Sequence, residues 1–374
     1  MRWPLSLSAV VTLAAALGAC DNPPEKRTDP APSASGSALS AASAVAIQLE
    51  EKPLVFDPQD VKNYKVIPAR FESDKNPITN EKVKLGRMLY YEPRLSKNQD
   101  VSCNSCHDLT GYGVDNKPFS PGHKGQLGGR NSPTVYNSGG HIAQFWDGRA
   151  ATLEDQAKGP ILNPVEMAMP NDKKVIEVLK SIPGYVALFK EAFPKDKDPV
   201  TYENLALAIG AFERQLVTPS RFDKYLEGDM KALTKDEIAG FHKFIKLGCP
   251  TCHTGAAVGG STFQKLGLVN MYPDLKDHGR FDATKDEKDK SFFRVPSLRN
   301  IEKTAPYFHD GSLSTLDVVV RKMAWHQLGV ELKDEDAKVL IAFLKSLTGE
   351  IPAEYIKKPE LPPNGPNTPK PDPT

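Results

Sequence analysis

Apolar side chains recur at helical spacing in three stretches of the chain. Ile238, Phe241 and Ile245 fall on one face of "IAGFHKFIKLG", and Thr234 and Glu237 stand before them at the spacing of a capping box. Thr201 is placed to cap a second helix whose buried face carries Leu205, Ile209, Phe212 and Leu216. Asp334 to Leu347 puts Val339, Leu340, Phe343, Leu344 and Leu347 on a third stripe. Such stripes are core and carry no chemistry of their own. Between them Gly, Pro and Asn break the periodicity, and no series of alternating strands appears. The pattern predicts a mainly α body with long irregular loops.

The two ends lack this pattern. Arg2 followed by a mostly apolar run from Leu5 to Leu17 reads as an export signal, too short to span a bilayer. It closes in "LGAC", which makes residues 1–20 similar to a lipoprotein signal, with Cys20 as the lipidated residue and membrane anchor. A plain secretory signal with an incidental cysteine is the alternative. Residues 21–53 are rich in Ala, Ser and Pro and hold no aromatic residue, so they predict a flexible linker. Residues 359–374, "PELPPNGPNTPKPDPT", predict a disordered tail. The folded body is then 54–358.

That body contains a repeat. "SPTVYNSGGHIAQFWDGRAATLED" (132–155) aligns without a gap on "VPSLRNIEKTAPYFHDGSLSTLDV" (295–318), at a constant offset of 163. Pro133 pairs with Pro296, Asn137 with Asn300, Asp147-Gly148 with Asp310-Gly311 and Thr152-Leu153 with Thr315-Leu316. A duplicated unit of this length predicts two related domains, 54–230 and 231–358.

Net charge is +1 with 25% charged residues, which argues against nucleic acid or an anionic membrane surface as partner. Cysteine usage is more telling. Four of the five cysteines lie in "CNSCH" (103–107) and "CPTCH" (249–253), one before each copy of the repeat. Cys-x-x-Cys alone fits half a zinc site or a redox disulfide. The adjoining histidine fits c-type haem attachment, in which both thiols bond the vinyl groups and the imidazole takes the iron. Two copies in an exported chain favour two covalent haems on Cys103, Cys106, Cys249 and Cys252, with His107 and His253 as ligands. A single zinc on four cysteines, or two disulfides, leaves the histidines unexplained.

The second axial position decides between an electron carrier and a catalyst. His123 lies in "SPGHKGQLGGRN", where Gly122, Gly125, Gly128 and Gly129 give the loop freedom to withdraw a ligand. An ordinary loop histidine is the competing reading. Met323, after the second D-G element, offers a thioether to the second iron, or is a core methionine.

"CNSCHDLTGYGVDNKPFSPGHKGQLGGRNSPTVYN", "FWDGRAATLEDQAKGPILNPVEM", "LGCPTCH" and "FRVPSLRNIEKTAPYFHDGSLSTL…KMAWHQLG" together resemble the bacterial dihaem cytochrome c peroxidases, a family that includes the MauG-type enzymes. The resemblance runs from about 75 to 350. It implies two cytochrome c-like haem domains, the first reacting with peroxide and the second accepting electrons. It makes His123 the removable ligand of the first iron and Met323 the distal ligand of the second. Trp146 matches the tryptophan between the haems, Glu166 the active-site acid, and Gln156 a residue beside the peroxide pocket. Asn131, Thr304 and Pro306 match an inter-domain calcium site, the last two through carbonyl oxygens. MauG-type enzymes carry a tyrosine where Met323 stands, which favours the peroxidase branch. The implied activity is reduction of hydrogen peroxide to water with electrons from a small cytochrome c or a cupredoxin, in the periplasm and with homodimers common. Oxidation of residues on a partner protein and pure electron carriage are the alternatives.

Overall fold

Thr201 accepts from Asn204 N at the head of one helix, and Thr234 and Glu237 close the expected capping box at the head of another. The computed structural model describes residues 58–273 and 275–374. Its helices longer than five residues are α1 (Asn80–Tyr90), α2 (Leu153–Leu162), α3 (Asp172–Lys180), α4 (Pro183–Ala192), α5 (Tyr202–Glu213), α6 (Arg221–Leu226), α7 (Lys235–Lys246), α8 (Leu316–Leu328) and α9 (Asp334–Ser346). Among the described residues the one sheet has two short strands, β1 (Phe263–Lys265) antiparallel to β2 (Phe292–Arg294). The fold is mainly helical, as the apolar periodicity predicts. The export signal, Cys20 and the 21–53 linker lie outside the described residues, and no described helix is long and apolar enough to cross a membrane.

Each half is built on one helix pair that crosses at a glycine. A Cβ on Gly86 of α1 would lie 1.9 Å from Ala208 O of α5, and one on Gly240 of α7 would lie 1.9 Å from Val339 O of α9. Only a residue without a side chain permits backbones to approach so closely. The same aromatic backs both crossings, with Phe212 and Phe343 Cβ each 2.9 Å from the added atom. Ala208 and Phe212 thus correspond to Val339 and Phe343, 131 positions on.

Two cores follow from these pairs. The first gathers Leu85, Leu89, Ile161, Leu179, Phe189, Leu205 and Ile209. The second gathers Tyr64, Phe222, Tyr225, Phe241, Phe244, Phe343 and Leu347. Tyr64 and α6 therefore pack with the second core, although both fall within 54–230. The rings of Tyr64 and Phe222 stand edge-on to Phe241 and to each other, which removes apolar surface from water. The chain crosses back at its other end. Tyr91 Oη donates to Ile356 O at 2.6 Å and Tyr355 Oη donates to Phe212 O at 2.7 Å.

The expected disordered tail is corrected here. Residues 359–374 lie along the first half: Arg94 Nη2 donates to Pro362 O at 2.8 Å, Gln99 Nε2 to Pro369 O at 2.8 Å, and Asp372 N to Lys97 O at 3.0 Å. Prolines leave their carbonyls free to accept, so a segment unable to form helix or core still finds partners.

The repeat is a repeat of backbone shape. Asn137 and Asn300 have φ of 62° and 61°, Phe145 and Phe308 66° and 71°, and Gly148 and Gly311 69° and 60°. Thr152 caps α2 as Thr315 caps α8. The two asparagines meet at one hydroxyl. Asn137 Nδ2 donates to Thr218 Oγ1 at 2.8 Å and Asn300 Nδ2 donates to the same atom at 2.9 Å. Each asparagine also accepts on Oδ1 from the chain just beyond a core helix, from Thr218 N at 3.0 Å and from Gly349 N at 2.9 Å. All four groups are buried.

Thr218→Val should leave two buried amides without their shared acceptor, at a cost of about 1–3 kcal/mol for each. Thermal unfolding should show a large fall in Tm for Val and a small one for Thr218→Ser. Equal Tm values for Val, Ser and the parent would deny the hydroxyl this role.

Candidate active site

The first Cys-x-x-Cys forms a single helical turn, Cys103–Cys106, in which Ser102 N donates to Ser105 Oγ at 3.0 Å. His107 ends the turn, its N–H donating to Cys103 O and its own carbonyl accepting from Tyr90 Oη at 2.7 Å. Its Nδ1 lies 3.3 Å from Gly113 O, which holds a proton on that nitrogen and leaves Nε2 as the lone pair. Burial lowers its pKa, opposed by the backbone oxygens of Gly113 and Pro133. At the second copy His253 N donates to Cys249 O at 3.1 Å. Burial pulls the His253 pKa down to about 4, against the backbone oxygens of Val258 and Pro296. Pro133 and Pro296 are partners in the repeat, so each copy presents the same carbonyl to its own histidine. Both imidazoles are neutral near pH 7, the form that binds a metal.

Burial raises the Cys103 and Cys106 thiols above their usual range and pushes Cys249 up to about 12. All four cysteines are unpaired. Among the described residues no three of His, Cys, Asp or Glu gather closely enough to hold a metal ion, so the cysteines do not form one zinc site.

A cavity of about 1070 Å³ opens beside the first copy. Cys103, Cys106, His107, Trp146, Gln156 and Glu166 line it from the first half, and Tyr272, Asp277, Arg294 and His309 from the second. Glu166 is half-buried, and burial raises its pKa, opposed by Arg149 and by Asn163, whose Nδ2 donates to Glu166 Oε1 at 2.7 Å. A raised carboxyl beside an open cavity can hold and return a proton. Trp146 is tied to both halves. Its Nε1 donates to Asn131 O at 2.9 Å, its carbonyl accepts from Arg294 N at 2.8 Å, and its ring stands edge-on to His309 at 6.4 Å.

The walls fit a large anionic cofactor. Arg294 is 3% exposed, its Nη1 has no partner, and no ion pair holds it among the described residues. Burial brings its pKa down to about 10, so it keeps its charge at neutral pH. His141, also in the wall, has no partner on either ring nitrogen. A buried cation needs a counter-charge, and a haem brings two carboxylates together with vinyl groups for the thiols. The composition of "FRVPSLRN" gave no sign of Arg294. The repeat did hold one, because its offset sets Arg294 against Asn131 and His309 against Trp146.

Of the other expected residues Asn131 also lines the cavity, and the rest stand outside this wall. His123 is buried and both its ring nitrogens are unpartnered, yet its ring is not part of the cavity lining. Its backbone is tied to the acid's own segment, with His123 N donating to Glu166 O at 2.7 Å. A Cβ at Gly122 would meet Val165 O at 2.2 Å, whereas Gly125 and Gly129 face open space. The loop is anchored at one end and free at its tip. Met323 lies half-buried on α8, and Cys249, Cys252 and His253 belong to the second half, away from this cavity. Asn131 Nδ2 donates to Lys117 O at 2.8 Å, while Asn116 Nδ2 donates to Ala305 O at 2.8 Å. Asn131 and the Thr304–Pro306 segment are therefore both bound to residues 116–117.

A family model described as di-haem cytochrome c peroxidase matches residues 80–231. The chain is 47% identical over 299 residues to the cytochrome c551 peroxidase of Nitrosomonas europaea, covering 79% of this chain and 88% of that protein. It is 45% identical over 315 residues to the cytochrome c551 peroxidase of Pseudomonas aeruginosa, covering 82% and 90%. Among solved structures, a MauG-like protein associated with microbial copper homeostasis is similar at a TM-score of 0.70 and 32% identity, over 79% of this chain and 97% of that one.

Proposed function

The chain belongs to the di-haem cytochrome c peroxidase family, and from that premise we propose how its own residues divide the reaction. It is a cytochrome c peroxidase that reduces hydrogen peroxide to two waters with electrons from a small cytochrome c. The observation that carries the assignment of roles is the convergence of Cys103, Cys106, His107, Gln156, Glu166 and Trp146 on one cavity.

Cys103, Cys106 and His107 would hold one haem there, and Cys249, Cys252, His253 and Met323 would hold the other. Haem iron supplies the redox chemistry at both sites. Glu166, its carboxylate held by Asn163, would take up and return the proton that peroxide reduction requires. Gln156 orients peroxide from α2. Trp146 would relay electrons between the halves, a reading supported by its bonds to Asn131 in one half and Arg294 in the other. His123 would be a removable ligand to the first haem, carried on a loop bonded to Glu166 at one end and with open space around Gly125. A calcium ion on Asn131, Thr304 and Pro306 would stiffen the boundary that this loop moves against. A cupredoxin as second donor, a periplasmic location, the lipid anchor at Cys20 and a homodimer complete the proposal.

The direct test is stopped-flow oxidation of reduced cytochrome c by peroxide with the two-haem protein. Many turnovers per enzyme are expected; none, from either the oxidised or the pre-reduced protein, would leave only an electron carrier. Glu166→Gln should retain both haems and lose about 10²–10⁴-fold in the rate with peroxide. A parental rate would move the proton to another group.

His123→Gly should give a five-coordinate, high-spin first haem in the oxidised protein, where the parent is low-spin. Electron paramagnetic resonance of the two proteins reads this directly. A parent already high-spin at that site, or a variant that stays low-spin, would remove His123 from the ligands.

A further inference from the structure

The 131-residue correspondence between α5 and α9 is apolar at nearly every buried position. Ala208 answers Val339, Phe212 answers Phe343 and Leu216 answers Leu347. Among the helix positions buried in both halves one breaks it: Glu213 stands where the second half has Leu344. The two are equally sequestered, at 5% and 6% exposure. Glu213 forms part of the cavity wall together with Cys103 and His107, whereas Leu344 packs in the second core.

Glu213 has no ion pair among the described residues; Arg149 and Arg294 line the same cavity, and Arg214 is the cation that offsets its charge. Arg214, the next residue, is committed to Glu154 through Nε and Nη2, both at 2.9 Å, and Asn76 donates to the same carboxylate at 2.8 Å. The other groups that act on or feel Glu213 are Cys103, Tyr90 of α1 and Tyr355 of the C-terminal segment. None is a cation. Glu166, across the cavity, is a second acid. Burial, with repulsion from Glu154 and only partial relief from Arg214, pushes the Glu213 carboxyl up to about 8. Near pH 7 it is a neutral acid facing the cofactor cavity.

An electron added to that cavity adds negative charge a short way from this carboxyl, in surroundings that screen it poorly. The added charge holds the proton more tightly. By linkage, the proton then favours the electron. We infer that Glu213 couples electron uptake at the first haem site to uptake of one solvent proton, and that Leu344 leaves the second site uncoupled. The balance is one electron from the cytochrome donor and at most one proton, the carboxylate becoming the carboxylic acid, with no covalent bond made or broken at the cofactor. Glu213 is a positioning residue for charge, and the inference rests on the two-haem reading above.

The test is a spectroelectrochemical titration of both haems in the full protein, from about pH 6 to 9, a range that brackets the value near 8. The first haem should lose potential as pH rises, and the second should stay flat. Glu213→Gln should abolish the slope at the first haem alone, and Glu213→Asp should keep it. Two covalent haems with a slope that survives Glu213→Gln, or with equal slopes at both sites, would overturn the inference and leave the peroxidase assignment standing. Absence of covalent haem would overturn both. Stability supplies an independent check. An acid whose folded pKa lies above its ordinary 4.5 weakens the fold as pH rises from that value towards 8. Glu213→Gln should therefore raise Tm at pH 7 and change it little at pH 4. A purely structural glutamate would alter Tm without touching the potential.

Discussion

A single buried hydroxyl, Thr218 Oγ1, accepts from Asn137 and Asn300 and so joins the two copies of the repeat. Both asparagines adopt the left-handed conformation, which costs less for Asn than for most side chains. Each then spends its side-chain oxygen on the backbone just past its core helix. Without this junction four polar groups would be buried and unpaired. The junction fixes where α5 and α9 end relative to the repeat loops, and those loops carry Pro133 and Pro296 to the two histidines.

Around this near-symmetry the halves differ where chemistry demands it. The first half opens a cavity of about 1070 Å³ beside its cysteines, and the second half helps to wall it with Arg294, His309 and Asp277. Trp146 and His309, equivalent in the repeat, face each other edge-on at the same boundary. An unpaired buried guanidinium and a buried neutral glutamic acid both line the first site. Leu344 shows that the second half does without the acid. The first site carries a buried acid where the second has a leucine.

Much of this was legible in the chain. Thr201, Thr234 and Glu237 announced their helices through capping, and apolar periodicity drew the faces of α5, α7 and α9. The two Cys-x-x-Cys-His copies and the 163-residue offset announced a duplicated haem unit, and the ordered stretches around Glu166 and Trp146 marked their neighbourhood. Less visible was the tail, whose proline-rich composition suggests disorder while its free carbonyls find Arg94 and Gln99. Composition describes a segment's ability to build its own core, not its ability to borrow one.

The sequence by itself determined which local structures form and which residues are candidates for the cofactor chemistry, because capping, periodicity and Cys-x-x-Cys-His spacing act over a few residues. Only the tertiary structure decided the rest. It placed Tyr64 and α6 in the second core, brought Arg294 and His309 into the first cavity, gave both asparagines one acceptor, and left Glu213 without an ion pair among the described residues. Each of these depends on contacts between separate elements of the chain, where burial and the competition for partners are set by packing and leave no trace in local pattern.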